Sequence, residues 1–261
     1  MNINPAFQRL SLLIGNDAAS ALAGTKVIIF GLGGVGSWCA EALVRSGIGS
    51  IILVDYDTID ITNINRQIEA TAKTIGLAKT EVLAARLKEI NPECNVDVID
   101  KFFSCQGNND NKNNLEIQEK TAMEFGIPNA DYIIDAIDSI ESKLDLIECA
   151  VRCGVTLFSS MGMALRLDPT RLRTADIWET SGCPLARRVR EGLRKRGFSA
   201  NFTAVYSDEK PITPGDKKIN GSAVTVTAAA GMILASLVIR DIFDINRCDS
   251  NRSNLNRCGE S

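Results

Sequence analysis

The sequence predicts an α/β protein: a Rossmann-like, mostly parallel sheet flanked by helices, continued by antiparallel strands in the C-terminal half. Three observations predict it. A β-branched run from Lys26 to Phe30 turns through Gly31, Gly33 and Gly36 into a helical pattern. Strand-length apolar runs then alternate with helical ones to about residue 158. Beyond residue 160 the pattern changes to short extended runs around Asp168-Pro169-Thr170.

Each element has its own signal. Residues 1–24 form an N-terminal arm, and 25–160 the Rossmann-like region. From Val35 a helix turns Cys39, Ala42 and Leu43 inward, and Ile51 to Val54 is a second strand. Leu77 to Glu89 is helical, with Val82, Leu83 and Leu87 on its apolar side, and Asn91-Pro92 stops it. Val96–Ile99 and Tyr132–Ile134 read as inner strands, Ser139–Val151 as a helix, and Val155–Phe158 as a strand. Ser104 to Asn114, with Gly107-Asn108-Asn109-Asp110-Asn111, is an Asn-rich insertion expected to be a mobile surface loop. Residues 161–245 form a C-terminal substrate-binding and dimerisation region. There Leu165-Arg166-Leu167 and Leu172–Trp178 read as a pair of antiparallel strands, followed by a helix from Pro184 to Arg196. Ala223 to Ile239 is uncharged and apolar; its Thr225, Thr227, Gly231 and Ser236 favour a buried helix at a dimer interface over a membrane span. Residues 246–261, rich in Asn, Ser and Arg, are expected to be a disordered tail.

Composition narrows the chemistry. With 261 residues, 45% apolar and 23% charged, the chain is an ordinary globular one. Its net charge of −3 means that nucleic acid would have to meet a local basic patch. Histidine is absent, which excludes Ser–His and Cys–His pairs and any histidine metal site. The eight cysteines include no C-x-x-C, so paired-cysteine structural zinc is not expected. Their scatter points to free thiols and a cytoplasmic location. Cys183 alone sits in a polar setting, before a basic helix, where a reactive thiol is conceivable.

Gly31, Gly33 and Gly36 have the spacing of a dinucleotide fingerprint. Such glycines let the backbone turn tightly and approach a phosphate, which the next helix N-terminus attracts. Asp55 ends the second strand, where a carboxylate can accept ribose hydroxyls. To this point an NAD enzyme fits equally well. The residues beyond Asp55 favour a nucleoside triphosphate: a second acid at Asp57, the cluster Asn63, Asn65, Arg66 and Gln67, and Lys79 opening a helix. Departing pyrophosphate carries charge that fixed cations must meet; Arg66 offers a fork of donors and Lys79 a compact point charge. The helix from Pro184 to Arg196 sets Arg187, Arg188, Arg190, Arg194, Lys195 and Arg196 against one acid, Glu191. It is either a solvated face or a grip on RNA phosphates.

Six ordered motifs carry a family resemblance: G-L-G-G-V-G-S from Gly31, D-Y-D from Asp55, N-I-N-R-Q from Asn63, G-L-A-K from Gly76, I-N-P from Ile90 and D-A-I-D from Asp135. Over roughly residues 9 to 160 the chain resembles the ThiF/MoeB/HesA superfamily of adenylating enzymes. Within it, G-G-V-G-S-W, N-x-N-R-Q-I and D-A-I-D-S resemble the branch that dehydrates threonylcarbamoyladenosine on tRNA. The resemblance implies that Gly34 and its neighbours (Gly31, Gly33, Gly36, Ser37) lie against ATP and that Asp55 holds the ribose. It places Asn63, Arg66 and Lys79 on the phosphates, and Asp138 on Mg²⁺ with Asp135 in support. Arg9 would reach into the partner's site of a homodimer. It also implies tRNA carrying threonylcarbamoyladenosine as substrate, gripped by the basic helix, and admits a sulfur-relay protein as a partner. The other readings are an activator of a sulfur-carrier protein's C-terminal glycine, an NAD-dependent oxidoreductase, and a non-catalytic binding module.

Overall fold

The structure, a computed structural model, describes residues 4–105, 115–212 and 220–258, with side chains to Cys248. Helices α1 (Gln8–Ile14) and α2 (Asn16–Gly24) precede strand β1 (Lys26–Phe30), helix α3 (Gly36–Arg45) and strand β2 (Ser50–Asp55). Helix α4 (Lys79–Ile90), strand β3 (Asn95–Asp100), helix α5 (Leu115–Glu124), strand β4 (Tyr132–Asp135), helix α6 (Ile140–Arg152) and strand β5 (Thr156–Ser160) complete the alternation. Strand β6 (Leu172–Asp176), helix α7 (Pro184–Lys195), strand β7 (Thr203–Ser207) and helix α8 (Val224–Cys258) come last.

All seven strands form one sheet in the order β3-β2-β1-β4-β5-β7-β6, in which only the β6–β7 pair is antiparallel. β1 is buried on both faces, as a central parallel strand should be. Its Val27 and Ile29 join the core beneath α3 and α8, while Ile28 and Phe30 join the core beneath α5, α6 and α7. The winding of the strand order reverses between the parallel strands β1 and β4, which opens a crevice at their carboxyl ends.

Four expectations change. The strand at Val96–Ile99 is the sheet edge rather than an inner strand, and its residues are exposed or half-buried. Leu165–Leu167 is not a strand: Leu165 holds a left-handed φ of 61°, donating its N–H to the Gly221 carbonyl while its own carbonyl accepts from Ile212. The antiparallel partner of β6 is instead β7, which the whole of α7 separates from it along the chain. β6 ends at Asp176, whose carboxylate caps the next turn by accepting from Trp178 N at 2.9 Å. Finally, the backbone of α8 continues helically to Cys258, through most of the stretch expected to be a disordered tail. A helix closes its own backbone hydrogen bonds and needs no apolar face to continue. The expected Asn-rich loop lies, over residues 106–114, outside the described residues.

α8 is long and apolar enough to span a membrane by length and hydropathy, yet one of its faces is core. Val226, Ala230, Leu234, Val238 and Ile242 are buried at helical spacing. Gly231 explains the close approach to α3, since a Cβ there would collide with the Val35 carbonyl.

Candidate active site

A cleft of about 750 Å³ opens at the carboxyl edge of the sheet. Its first wall grows from the β1–α3 turn. Gly31 has φ +88°, and a Cβ on it would lie 2.7 Å from the Ala136 carbonyl oxygen. A Cβ on Gly36 would collide with the Gly31 carbonyl, so both glycines are steric requirements of the turn. Gly31, Gly33 and Gly34 face the cleft, whereas Gly36 and Ser37 stand behind it. Ser37 is fully buried and its hydroxyl donates to the Gly33 carbonyl at 2.7 Å, bracing the loop.

Asp55 faces the cleft and also ties the loop: its oxygens accept from Leu32 N at 2.6 Å and from Asp57 N at 2.9 Å. Each carboxylate oxygen retains a second lone-pair direction for a ribose hydroxyl. A bridge between Thr58 and Ala78 folds the next segment back and brings Lys79 beside Asp57, with Nζ to Oδ2 at 2.8 Å. Lys79 is buried except where it lines the cleft. Asn63 closes a capping box with Asp60, and Gln67 lies buried against the glycine loop; both line the cleft. The Arg66 guanidinium lies in the cleft wall, donating to the Thr62 carbonyl at 2.9 Å and to Asn65 Oδ1 at 3.1 Å, while Trp38 Nε1 holds its carbonyl at 2.9 Å. Asn65 is outside the lining and donates to Ser222 O at 2.9 Å, joining this segment to the start of α8.

The two acids after β4 part company. Asp138 is exposed in the cleft. Asp135 is fully buried; its Oδ2 accepts from Lys143 Nζ and from Ser159 Oγ, each at 2.6 Å. The expected support of a metal by Asp135 therefore needs correcting: its charge is matched by Lys143 and it does not face the cleft.

The far wall is made by residues 160–164 and α7. Pro184 starts α7, and Ala186, Val189 and Leu193 are its buried stripe; Leu185 faces the cleft with Arg188. Arg187, Arg194 and Lys195 are exposed, with Arg194 over the Trp178 ring at 5.2 Å. Arg190 is bonded to the Thr180 hydroxyl. Arg196 departs from the expected RNA-facing cluster. It turns onto α6, bridging Asp145 at 2.8 Å, Glu148 at 2.9 Å and Glu141 at 3.0 Å. Cys183 is buried at the start of α7, away from the polar loop setting expected of it. Arg9, on α1, is exposed and outside the cleft of its own chain.

Several residues of the site carry no motif that the sequence alone reveals. Lys101, Phe102 and Phe103 line the cleft just past β3; extending that strand to its true carboxyl end would have found them, since ligands gather there. Lys143 and Glu69 gave no sequence signal. Glu69 is 2% exposed, behind the glycine loop, and neither carboxylate oxygen has a hydrogen-bond partner. Burial pushes its carboxyl up to about 7.

The chain matches known proteins over most of its length. Residues 7–258 match the ThiF family. The chain is 37% identical over 252 residues to a tRNA threonylcarbamoyladenosine dehydratase of Bacillus subtilis, covering 90% of this chain and 94% of that protein. It is 34% identical to the Escherichia coli protein of that name, over 87% of this chain and 90% of the other. The crystal structure of the E. coli dehydratase in complex with ATP superposes with a TM-score of 0.83, over 95% of this chain and 99% of that one.

Proposed function

Because the chain belongs to the ThiF family, we propose that it is an ATP-dependent adenylating enzyme that cyclises threonylcarbamoyladenosine in tRNA, with net loss of water. One observation carries the reading. The glycine loop, Asp55, Arg66, Lys79 and the exposed Asp138 meet in a single cleft whose opposite wall belongs to a basic helix.

The threonyl carboxylate attacks the α-phosphorus of ATP, giving an acyl-adenylate and releasing pyrophosphate. A nucleophile of the same modification then closes a ring on the activated carbonyl and expels AMP. The carboxylate is already ionised at neutral pH, so the step needs no histidine base, and the chain has none. What the protein supplies is alignment and fixed positive charge. Arg66 and Lys79 face the phosphates, Asp55 holds the ribose, and Asn63 and Gln67 shape the wall around them.

Mg²⁺ is part of the proposal, and Asp138 fits it. The ion takes one or two carboxylates together with substrate phosphates and waters, and Asp138 offers an exposed carboxylate in the cleft. When bound, the ion would neutralise charge on the triphosphate. Asp135 does not fit, being buried and paired with Lys143. On α7 the proposed phosphate contacts are Arg187, Arg188, Arg194 and Lys195, with Arg188 at the inner end where the nucleoside enters.

A homodimer completes the proposal. Phe7 and Leu10, which flank Arg9, line a second cavity with Gly47–Gly49, at the amino end of β2 and the opposite edge of the sheet from the cleft. That position suits Arg9 to a second copy's cleft, and the exposed Leu12 and Leu13 beside it suit a partner's surface. The enzyme would work in the cytoplasm and could accept a sulfur-relay protein.

The test is AMP release from Mg-ATP with tRNA that carries threonylcarbamoyladenosine, set against tRNA that lacks it. AMP only with the modified tRNA, with the nucleoside lighter by one water, supports the reading. No tRNA-dependent AMP, but pyrophosphate exchange with a Gly-Gly-tailed carrier protein, would replace it. Arg66→Ala and Asp138→Ala should each lower turnover by roughly 100-fold or more with the fold intact, as circular dichroism would show. Mixing inactive Arg9→Ala with inactive Asp138→Ala should restore activity if the dimer shares residues across its sites.

A further inference from the structure

Lys143 is among the largest fully buried side chains of the molecule, and its ammonium collects the ends of two strands. Nζ donates to Asp135 Oδ2 at 2.6 Å, to the Ser160 carbonyl at 3.0 Å and to Ser159 Oγ at 3.4 Å. Ser159 Oγ itself donates to Asp135 Oδ2 at 2.6 Å, and Asp135 Oδ1 accepts from Ile137 N at 3.1 Å. One cation therefore holds the end of β4, the end of β5 and the turn between Asp135 and Asp138.

That turn is pressed against the nucleotide loop. The Ala136 carbonyl and methyl occupy the space that side chains at Gly31 and Gly36 would need. Ala136, Ile137, Asp138 and Ser160 all line the cleft, while Lys143 and Asp135 do not. The clamp thus sits behind the site and touches its wall at several points. Folding stability alone is a poor reason for it, because well-packed apolar residues generally replace a buried ion pair without loss. What such residues cannot do is bind a strand-end carbonyl and orient a carboxylate that fixes the next turn.

We propose that Lys143 is a positioning residue: acting through Asp135, it holds the Asp135–Asp138 turn against the glycine loop so that Asp138 faces the triphosphate. The proposal rests on the metal-binding role of Asp138, and its test needs no tRNA.

The measurement is calorimetric titration of the protein with ATP, with and without Mg²⁺, alongside thermal unfolding. Wild type should bind ATP more tightly with Mg²⁺. Lys143→Met alone strands a buried carboxylate and should lower Tm steeply. Asp135→Asn combined with Lys143→Met removes both charges. Its Tm should recover most of that loss, while the Mg²⁺-dependent gain in ATP affinity falls by roughly ten-fold or more, as for other lost supports of a metal ligand. A recovered Tm with a wild-type Mg²⁺-dependent gain would overturn the proposal. If the double variant does not fold, Ser159→Ala decides. It removes one hydroxyl from the clamp and leaves the charges paired; a several-fold smaller gain at near-wild-type Tm supports the assignment, and an unchanged gain refutes it. Absence of any Mg²⁺-dependent gain in wild type would remove the role of Asp138 and the proposal together. A normal gain without tRNA turnover would count against the substrate reading alone.

Discussion

On one wall of the cleft the geometry is set by backbone. Gly31, Gly33 and Gly34 present main chain to the cleft, Gly36 and Ser37 brace the turn from behind, and Asp55 pins Leu32 N. On the other wall it is set by long side chains on α7, whose backbone is an ordinary amphipathic helix. Backbone has few alternatives at such a turn, so Gly31 and Gly36 leave no room for a side chain. The α7 side chains choose among neighbours, and the same residue type ends in different roles: Arg188 in the cleft, Arg187 in solvent, Arg196 on the acids of α6. A local steric requirement can be read from neighbours in sequence, whereas a side chain's partner depends on what the fold places opposite it.

The contrast between the walls can be broken most strongly at Gly36. Gly36→Ala should cost about 3 kcal/mol through overpacking against the Gly31 carbonyl and should abolish ATP binding, as urea unfolding and calorimetry would measure. Retained ATP affinity would show that the loop can yield.

Behind the same wall, Glu69 gives a pH signature. The folded protein keeps its proton up to about pH 7, whereas in the unfolded chain the carboxyl ionises near its ordinary value of 4.5. Between those values the unfolded state gives up a proton that the folded state retains, so this group's contribution to stability falls as pH rises, and it levels off above pH 7. Glu69→Gln should therefore leave stability nearly unchanged at acid pH and raise it at pH 8, by up to about 3 kcal/mol. Equal stability of the two proteins across that range, by urea unfolding, would mean that the carboxylate finds a partner.

On the α7 wall, Arg196→Ala should cost about 2 kcal/mol, because Asp145 and Glu148 are nearly buried and lose their cation. tRNA affinity and its salt dependence should stay as they were. The smallest structural effect, and the sharpest functional contrast, belongs to Arg187, Arg188 and Arg194 replaced together by alanine. Stability should move by less than about 1 kcal/mol, while the log–log salt slope of tRNA binding flattens by roughly 2 to 3. If Arg196→Ala flattens the slope and the triple variant does not, the assignment of the two faces is reversed.

The sequence by itself determined the parallel half of the fold and the glycine turn, and it named Asp55, Arg66, Lys79 and Asp138, which the fold gathers in one cleft, because these rest on local periodicity, steric need and short ordered motifs. It also determined that α7 is basic. Only the tertiary structure decided that β6 pairs with the distant β7 and that β3 is an edge, since strand partners are chosen by contacts remote in sequence. It alone took Asp135 away from Asp138, which the family resemblance had set together at the metal, by bringing Lys143 from α6. It also drew Arg196 off the basic face and buried Glu69 without a partner. In each of these the deciding quantity is desolvation together with the charge brought opposite, and neither exists until the chain has folded.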